Sequence, residues 1–152
     1  MTAVAELRPP RDLNAPVHIQ ADHMKYDFQS GISEYTGNVS VTQSDLELTG
    51  DKVVAVQEEK VLKNITVTGS PSSYRQLSED GSYIKAQSKQ MEYQAVNNRL
   101  VLTGKAKLEQ AGSVMESEQI IYDTINEVVI AGDDKANKRV NITFTPENIK
   151  KQ

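Results

Sequence analysis

His18 and His23 are the side chains of this sequence best suited to metal binding, and Asp22 beside His23 could add a carboxylate ligand. A closed zinc site needs about four protein ligands, usually His and Cys, but the chain has 2 His and 0 Cys. The alternation of apolar and polar residues places His18 on the solvent side of a predicted strand. We therefore predict two surface histidines and no metal site.

The motif Ser82-Tyr83-Ile84-Lys85 has the spacing at which a serine nucleophile meets a lysine base. That chemistry requires both side chains on one face of a helix, one turn apart. Here the motif follows the hairpin signal Asp80-Gly81 and falls in a predicted strand. Residues three positions apart in a strand point to opposite faces, so the motif does not predict a nucleophilic site.

The acidic pairs Glu58-Glu59 and Asp133-Asp134 could support acid–base catalysis if they faced each other across a cleft. Each pair instead stands in a polar loop beside a lysine, Lys60 or Lys135, which is typical of solvated charge. The sequence contains neither a glycine-rich phosphate loop nor a Gly-x-Ser-x-Gly motif. We predict that the chain is not an enzyme and uses neither catalytic residues nor a cofactor.

Charge and hydropathy limit the classes of partner. The 152 residues carry a formal net charge of −4 and have a pI of about 5.2. The dense basic patch that nucleic acid requires is missing, so we predict no nucleic-acid partner. No apolar run approaches the roughly 20 residues of a membrane helix, and the first ten residues lack the apolar segment of a signal peptide.

The sequence repeats itself at a fixed offset. Met24-Lys25-Tyr26 recurs as Met91-Glu92-Tyr93, and 91 − 24 = 67; at the same offset Thr36-Gly37 becomes Thr103-Gly104. Reuse of one strand–turn–strand unit predicts a stack of such units, and a stack presents a long continuous surface.

Alternation of apolar and polar residues predicts strands between turn signals throughout residues 16–146, most of them short and one long, over residues 32–43 with a bend at Gly37. Glycines at positions 37, 69, 104 and 132 are each predicted to close a strand, and Pro71 to lie in a loop. We find no 3.6-residue period over 11 residues or more. The sequence therefore predicts an all-β domain at 16–146, a flexible N-terminal arm at 1–15 and a polar tail at 147–152.

The apolar face of these strands has two interpretations. It could form an ordinary sealed core, or it could line a partly open trough that holds a lipid, for which adaptable Met and half-wet Tyr side chains are suited. Each buried acyl CH₂ contributes about 0.8 kcal/mol, so half of one chain would bind usefully. Composition does not decide between these two interpretations.

Several motifs resemble the OstA-like family of lipopolysaccharide-transport proteins. They are Pro16–Asp22, Tyr35–Gln43, Leu48–Val54, Met91–Tyr93, Leu102–Ala106 and Lys138–Val140 with Pro146, and together they extend the resemblance over roughly residues 16–150. The resemblance implies a V-shaped antiparallel β-jellyroll, open at both ends and solenoid-like in its stacking of short strands. It also implies a location in the periplasm of Gram-negative bacteria, and the missing secretion signal is then explained by processing or engineering.

The resemblance further implies a role in outer-membrane biogenesis. The chain would bind lipopolysaccharide by its lipid A acyl chains and carry it from inner to outer membrane as a head-to-tail homo-oligomer. An inner-membrane-anchored partner would bind the N-terminal edge and the periplasmic domain of the outer-membrane translocon the C-terminal edge. The expected lipid-binding residues are Val17, Ile19, Met24, Tyr26, Val39, Val41, Leu48, Tyr74, Met91, Tyr93, Leu102 and Tyr122. The expected partner-interface residues are Val17, Ile19, Ala21, Val140, Ile142 and Phe144.

Two alternatives remain open at this stage. The chain could be a soluble domain of another member of the same export machine, either the membrane-anchored partner or the translocon, which would cap an assembly rather than extend it. It could also be a structural β-solenoid without bound lipid. Concentration-dependent size separates a bridge from a capping domain, and lipid crosslinking separates a conduit from a sealed stack.

Overall fold

All regular structure in the described residues is β-strand. The computed structural model describes residues 14–78, 80–132 and 139–146, and within them no helix is long and apolar enough to cross a membrane. The strands are β1 (His18–Gln20), β2 (His23–Asp27), β3 (Ile32–Gln43), β4 (Leu46–Glu58), β5 (Val61–Leu77), β6 (Tyr83–Gln94), β7 (Arg99–Gln110), β8 (Ser113–Asp123), β9 (Val128–Ala131) and β10 (Asn141–Phe144).

These strands form one antiparallel sheet in the order β1-β3-β4-β5-β6-β7-β8-β10. The short β2 also pairs with β3, and the short β9 also pairs with β8. At the N-terminal edge, β1 contacts residues 40–42 of β3, whereas β2 contacts residues 32–36. At the C-terminal edge, β10 contacts residues 113–116 of β8, whereas β9 contacts residues 120–123.

Each pair of neighbouring long strands shifts its register near the middle. The shifts fall between residues 36 and 39, 49 and 52, 68 and 72, 87 and 90, and 103 and 106. A bulge bends its strand and interrupts the ladder, so five adjacent shifts make a line of bends across the sheet. We call this line the hinge.

The hinge divides the sheet into two arms of eight strands each. Arm 1 contains β2, β9 and segments 32–36, 52–58, 61–68, 90–94, 99–103 and 119–123. Arm 2 contains β1, β10 and segments 39–43, 46–49, 72–77, 83–87, 106–110 and 113–117. The arms face each other as a V, because one hydrophobic core draws buried side chains from both.

The 67-residue repeat corresponds to one bent hairpin used twice. In the first copy Thr36 pairs with Lys52 and Val39 with Gly50; adding 67 to each number gives the observed pairs of the second copy, Thr103 with Gln119 and Ala106 with Ser117. The bulges also share a backbone conformation. Gly37 and Asn38 have φ of 88° and 49°, and their equivalents at positions 104 and 105 have φ of 89° and 50°.

The structure confirms the all-β prediction and corrects its details. Segments predicted as separate short strands merge, since β4, β5 and β8 each run unbroken through the hinge. Gly37, Gly69 and Gly104 lie inside strands rather than closing them, and Pro71 lies within β5 after a cis peptide bond rather than in a loop. The predicted arm and tail lie outside the described residues, except for residues 14 and 15.

Candidate functional site

An apolar groove opens at the N-terminal end of the V, between its two short edge strands. β1 belongs to arm 2 and β2 to arm 1, and both pair only with β3 among the described strands. The chain passes from one to the other at Asp22, whose amide donates to the carbonyls of Thr36 and Gly37 at 3.1 and 2.9 Å. Among the described strands, none therefore covers the inner surface of the sheet beyond β1 and β2.

The groove has a volume of about 510 Å³. Antiparallel partners share a sheet face, and the pairs Met24–Tyr35 and Tyr26–Ser33 put these side chains on the inner face with the core. Met24 is nevertheless 61% exposed because arm 2 does not cover it. The lining residues are Val17, Ile19, Met24, Tyr26, Ser33, Tyr35, Ala55, Gln57, Lys60 and Leu62.

Besides the buried Ser33, the polar side chains that line the groove are Tyr26, Gln57 and Lys60. The Tyr26 hydroxyl donates to Gln57 Oε1 at 3.2 Å. Lys60, in the β4–β5 turn, is exposed and forms no ion pair within the described part of the chain. The groove thus combines an apolar floor with one unpaired cation, which suits an apolar chain attached to an anionic group.

The C-terminal end of the V exposes inner-face apolar side chains as well. Ile142 pairs with Met115 and Phe144 with Ser113, on the face that carries the buried Leu108. Ile142 and Phe144 are 61% and 65% exposed. Both ends of the sheet therefore present apolar surface together with a strand edge whose outer side is unpaired among the described strands.

The expected lipid-binding residues fall into two groups. Val17, Ile19, Met24 and Tyr26 line the open groove. The other eight are at most 6% exposed and fill the space between the arms: Val39, Val41, Leu48, Tyr74, Met91, Tyr93, Leu102 and Tyr122. Lipid contact by these eight stays a prediction, and it requires that the arms move apart.

Two contacts hold the arms together towards the C-terminal half of the V. The rings of Tyr74 in arm 2 and Tyr122 in arm 1 lie 6.3 Å apart in an edge-to-face arrangement. At the mouth, the buried Ser78 hydroxyl donates to Glu127 Oε1 at 3.3 Å. We call the second contact the clasp. The V is thus open at β1 and β2 and closed at the turn that joins β8 to β9.

The expected interface residues lie at or beside the two sheet edges. Ile19 belongs to β1 and faces inward opposite Val41, and Ala21 packs partly against the core. Val140 precedes β10 rather than forming part of it. The structure adds β2 and β9 as further edge strands, which the sequence interpretation did not include. Pairing of these edges with another chain stays a prediction.

The motifs considered for metal binding or catalysis lie at exposed positions or in turns. His18 and His23 are exposed, and the described residues contain no group of three or more His, Cys, Asp or Glu that could hold a metal ion. Ser82 lies in the β5–β6 turn, where its amide and hydroxyl both donate to Asp80 Oδ1, at 2.9 and 2.6 Å. Asp133-Asp134 lies outside the described residues.

Sequence reasoning missed six residues of the groove: Ser33, Tyr35, Ala55, Gln57, Lys60 and Leu62. Tyr35 carried a usable signal, since it lies in phase with Val39 on one strand face. Leu62 did not, because the register shift after Val56 reverses which residues of β5 face inward. Lys60 was interpreted as solvated charge in a turn, and only the fold brings it to the groove.

These features define a class: an open-ended, V-shaped antiparallel sheet with an apolar groove at one end. A family model described as LptA/(LptD N-terminal domain) LPS transport protein matches residues 18–128. The chain belongs to this family.

Named relatives and a solved structure agree with this assignment. The chain is 36% identical over 125 residues to the lipopolysaccharide export system protein LptH of Pseudomonas aeruginosa, covering 81% of this chain and 71% of the relative. It is 31% identical over 140 residues to LptA of Escherichia coli K12, covering 91% and 75%. The crystal structure of LptH, described as the periplasmic LptA homologue of the lipopolysaccharide transport device, superposes with a TM-score of 0.84 at 33% identity, covering 90% of this chain and 100% of that one.

Proposed function

We propose that this chain is a periplasmic, non-enzymatic carrier that binds lipopolysaccharide by its acyl chains and passes it towards the outer membrane. The observation that carries the proposal is the groove, an apolar surface with an unpaired cation that continues into the core between the arms. Acyl chains match the apolar floor, and a lipid phosphate matches Lys60. Membership of a lipopolysaccharide-transport family supports the same ligand.

We further propose that copies of the chain join head to tail. The edge at β10 exposes Ile142 and Phe144, and the edge at β1 and β2 exposes Val17 and Met24. Unpaired strand edges recruit other strands, and a contact between two different edges does not close on itself. The inner-membrane-anchored partner would then take the N-terminal edge, and the translocon's periplasmic domain the C-terminal edge.

Photo-crosslinking tests the ligand. Tyr35 and Glu34 are neighbours on β3 with opposite orientations, so a benzoylphenylalanine at position 35 points into the groove and one at position 34 points outward. With purified lipopolysaccharide we expect adducts from position 35 only. No adduct from position 35, or equal yields from both positions, would overturn the proposal.

Light scattering over a range of concentrations tests the assembly. Ile19→Asp places a charge on a strand edge that would be buried on pairing, so it should reduce end-to-end association. The control is Ile32→Asp, which adds the same charge to an exposed outward position on the internal strand β3. If Ile19→Asp assembles as well as the control, the edge assignment is wrong.

A structural stack without lipid is the second candidate, and the sealed middle of the V favours it. Val53, Val67, Met91, Leu100, Leu102 and Ile120 are all 0% exposed. This candidate predicts that lipopolysaccharide forms no adduct from position 35. The same crosslinking experiment therefore separates the two candidates.

A further inference from the structure

The free ends of arm 1 form a row of exposed apolar side chains along the mouth of the V. Four turns make up this rim, at residues 28–31, 59–60, 95–98 and 124–127. Three of these turns contain a large, exposed apolar side chain: Phe28 is 85% exposed, Val96 64% and Ile125 45%. We call this row rim 1.

The opposite rim, formed by the turns of arm 2, has a different composition. Its described turn residues are small or polar, and the aromatic Tyr83, 44% exposed, directly follows Ser82. Large apolar side chains within the described turns therefore lie on one side of the mouth of the V, and small or polar ones on the other. A single lipid with an apolar and a polar part would meet both kinds of surface.

The turns of rim 1 do not need these side chains for their conformation. Asp27 Oδ1 accepts hydrogen bonds from the amides of Gln29 and Ser30 at 2.9 and 3.3 Å. Asp123 Oδ1 does the same for Ile125 and Asn126, both at 2.9 Å. The aspartates fix the backbone, so a polar residue could replace Phe28 or Ile125 without loss of the turn. At Phe28 and Ile125 the turn conformation thus does not require an apolar side chain.

The row has the dimensions of an extended apolar ligand. Consecutive turns of arm 1 are two strands apart, which places them about 10 Å from one another at roughly 4.8 Å per strand. From Phe28 to Ile125 the row spans about 29 Å by the same spacing. A row of exposed apolar side chains of this length is a candidate interaction surface.

Rim 1 is continuous with the groove. A surface depression of about 820 Å³ passes over the rim beneath Phe28 and Val61, and it shares Tyr26, Gln57 and Lys60 with the groove. The Tyr26 and Phe28 rings lie 4.5 Å apart and form an unbroken aromatic surface from the groove to the rim. Lys60 lies at the junction, where it can pair with an anionic group.

We propose that rim 1 is a second acyl-chain contact surface, on which part of the acyl chains of a bound lipopolysaccharide lies while the remainder fills the groove. The inference rests on the proposed function and deepens it. The groove fixes where the lipid enters, and rim 1 fixes its orientation. The acyl chains lie along rim 1, the phosphate pairs with Lys60 where rim 1 meets the groove, and the sugar groups extend towards arm 2 and solvent.

The test compares two triple variants of the full chain in binding to purified lipopolysaccharide. The rim variant is Phe28→Ser, Val96→Ser and Ile125→Ser. The control is Ile32→Ser, Val128→Ser and Ile130→Ser, which removes three exposed apolar residues that lie in strands and point to the outer face of the sheet. We expect the rim variant to bind about tenfold more weakly, from the partial burial of three apolar side chains, and the control to bind as the unchanged chain.

Crosslinking from position 35 in the same variants distinguishes the two proposals. If the rim variant keeps its adduct at position 35 and its affinity is unchanged, the rim proposal is wrong and the proposed function stands. If the unchanged chain forms no adduct, both fail. If the rim variant loses only binding to phosphatidylcholine vesicles, or only self-association, rim 1 contacts a membrane or a second copy and this proposal is overturned.

Crosslinking from a single rim position tests the proposal without the triple variant, whose three substitutions could disturb folding. Benzoylphenylalanine at position 96 replaces a residue that is already 64% exposed, and position 130, 59% exposed on the outer face of β9, is the control. We expect lipopolysaccharide adducts from position 96 and not from position 130. Adducts from neither, alongside adducts from position 35, would confine the lipid to the groove.

Discussion

Tyr74 and Tyr122 belong to different arms of the V, and their rings meet edge to face at 6.3 Å across the core. The Tyr74 hydroxyl also donates to the side-chain oxygen of Gln76. Aromatic pairs in this geometry contribute about 0.5–1.5 kcal/mol beyond the area they bury. The contact therefore holds the arms closed over the part of the core that the sequence interpretation assigned to lipid.

We predict that loss of the clasp makes the core more accessible to lipid. Glu127→Ala removes the acceptor of the Ser78 hydroxyl, a hydrogen bond that contributes about 0.5–1.5 kcal/mol. This corresponds to about two- to tenfold in the equilibrium between closed and open arms. We expect crosslinking of lipopolysaccharide from position 93, which is buried between the arms, to rise accordingly.

Glu59→Ala is the matched control for the clasp. Glu59 lies on the same rim with φ of 52°, close to the 57° of Glu127, so the backbone cost of the substitution is similar. An equal rise in both variants would assign the effect to the turn backbone rather than to the clasp.

The repeat supplies a matched pair of methionines for separating stability from binding. Met24 and Met91 are equivalent, since 24 + 67 = 91, but Met24 is 61% exposed in the groove and Met91 is 0% exposed. We expect Met91→Ala to lower the free energy of unfolding by about 2–5 kcal/mol. Met24→Ala should change it by at most about 0.5 kcal/mol and should weaken lipopolysaccharide binding.

Urea unfolding and equilibrium binding of the two variants check this prediction. Equal losses of stability would mean that the groove is closed in solution. Unchanged binding of Met24→Ala would remove Met24 from the ligand surface.

Gly50 allows two strands to approach closely at the hinge. A Cβ atom there would lie 2.5 Å from Val67 Cγ1 and 2.7 Å from the Thr68 carbonyl oxygen. We expect Gly50→Ala to destabilise the fold by about 1–3 kcal/mol, as overpacking does. At the equivalent position of the second copy (50 + 67 = 117), Ser117→Ala should stay within about 0.5 kcal/mol of the unchanged chain.

Thermal unfolding of both variants gives the comparison. Similar midpoints for Gly50→Ala and Ser117→Ala would show that the hinge has room for a side chain and that the glycine has another role.

Asp123 makes stability depend on pH. The amides of Asn126 and Ile125 donate to its carboxylate and hold the pKa of Asp123 below its ordinary value of 3.8. A lowered folded-state pKa stabilises the fold above the unfolded value, and this contribution is lost as the pH falls below about 3.8 and through the folded value. Asp123→Asn should therefore be less stable at pH 7, and the difference should shrink at low pH.

Free energies of unfolding at pH 7, 4 and 3 test the sign of this effect. A difference between the two proteins that is constant over this range would mean that the carboxylate charge does not contribute. Asp27→Asn should behave in the same way, because the amides of Ser30 and Gln29 lower the pKa of Asp27.

Much of the fold follows from the sequence because alternation and repetition are local signals. The 67-residue offset predicted a reused unit, and both copies have the same register and the same left-handed pair in the bulge. The strand lengths followed only in part. The long strand predicted over residues 32–43, with a bend at Gly37, is observed as β3. The bulge at Gly104 interrupts the alternation, so the bent strand β7 looks like two short ones.

The division between groove and sealed core was not predictable from alternation. Met24 and Val41 have the same pattern of apolar and polar neighbours, yet Met24 is 61% exposed and Val41 is 2% exposed. The difference arises because Met24 lies on a short edge strand and Val41 inside the sheet. The number of neighbouring strands is a property of the topology and leaves no trace in the local sequence.

The hinge separates two kinds of interaction that most β-proteins combine. Every ladder hydrogen bond lies within one arm, because the registers break at the hinge in all five pairs of long strands. Side-chain packing and the clasp connect arm to arm across the core. The arms can therefore separate by rotation at the bulges while each ladder stays intact, so amide hydrogen exchange should remain slow in a V that has opened for a ligand.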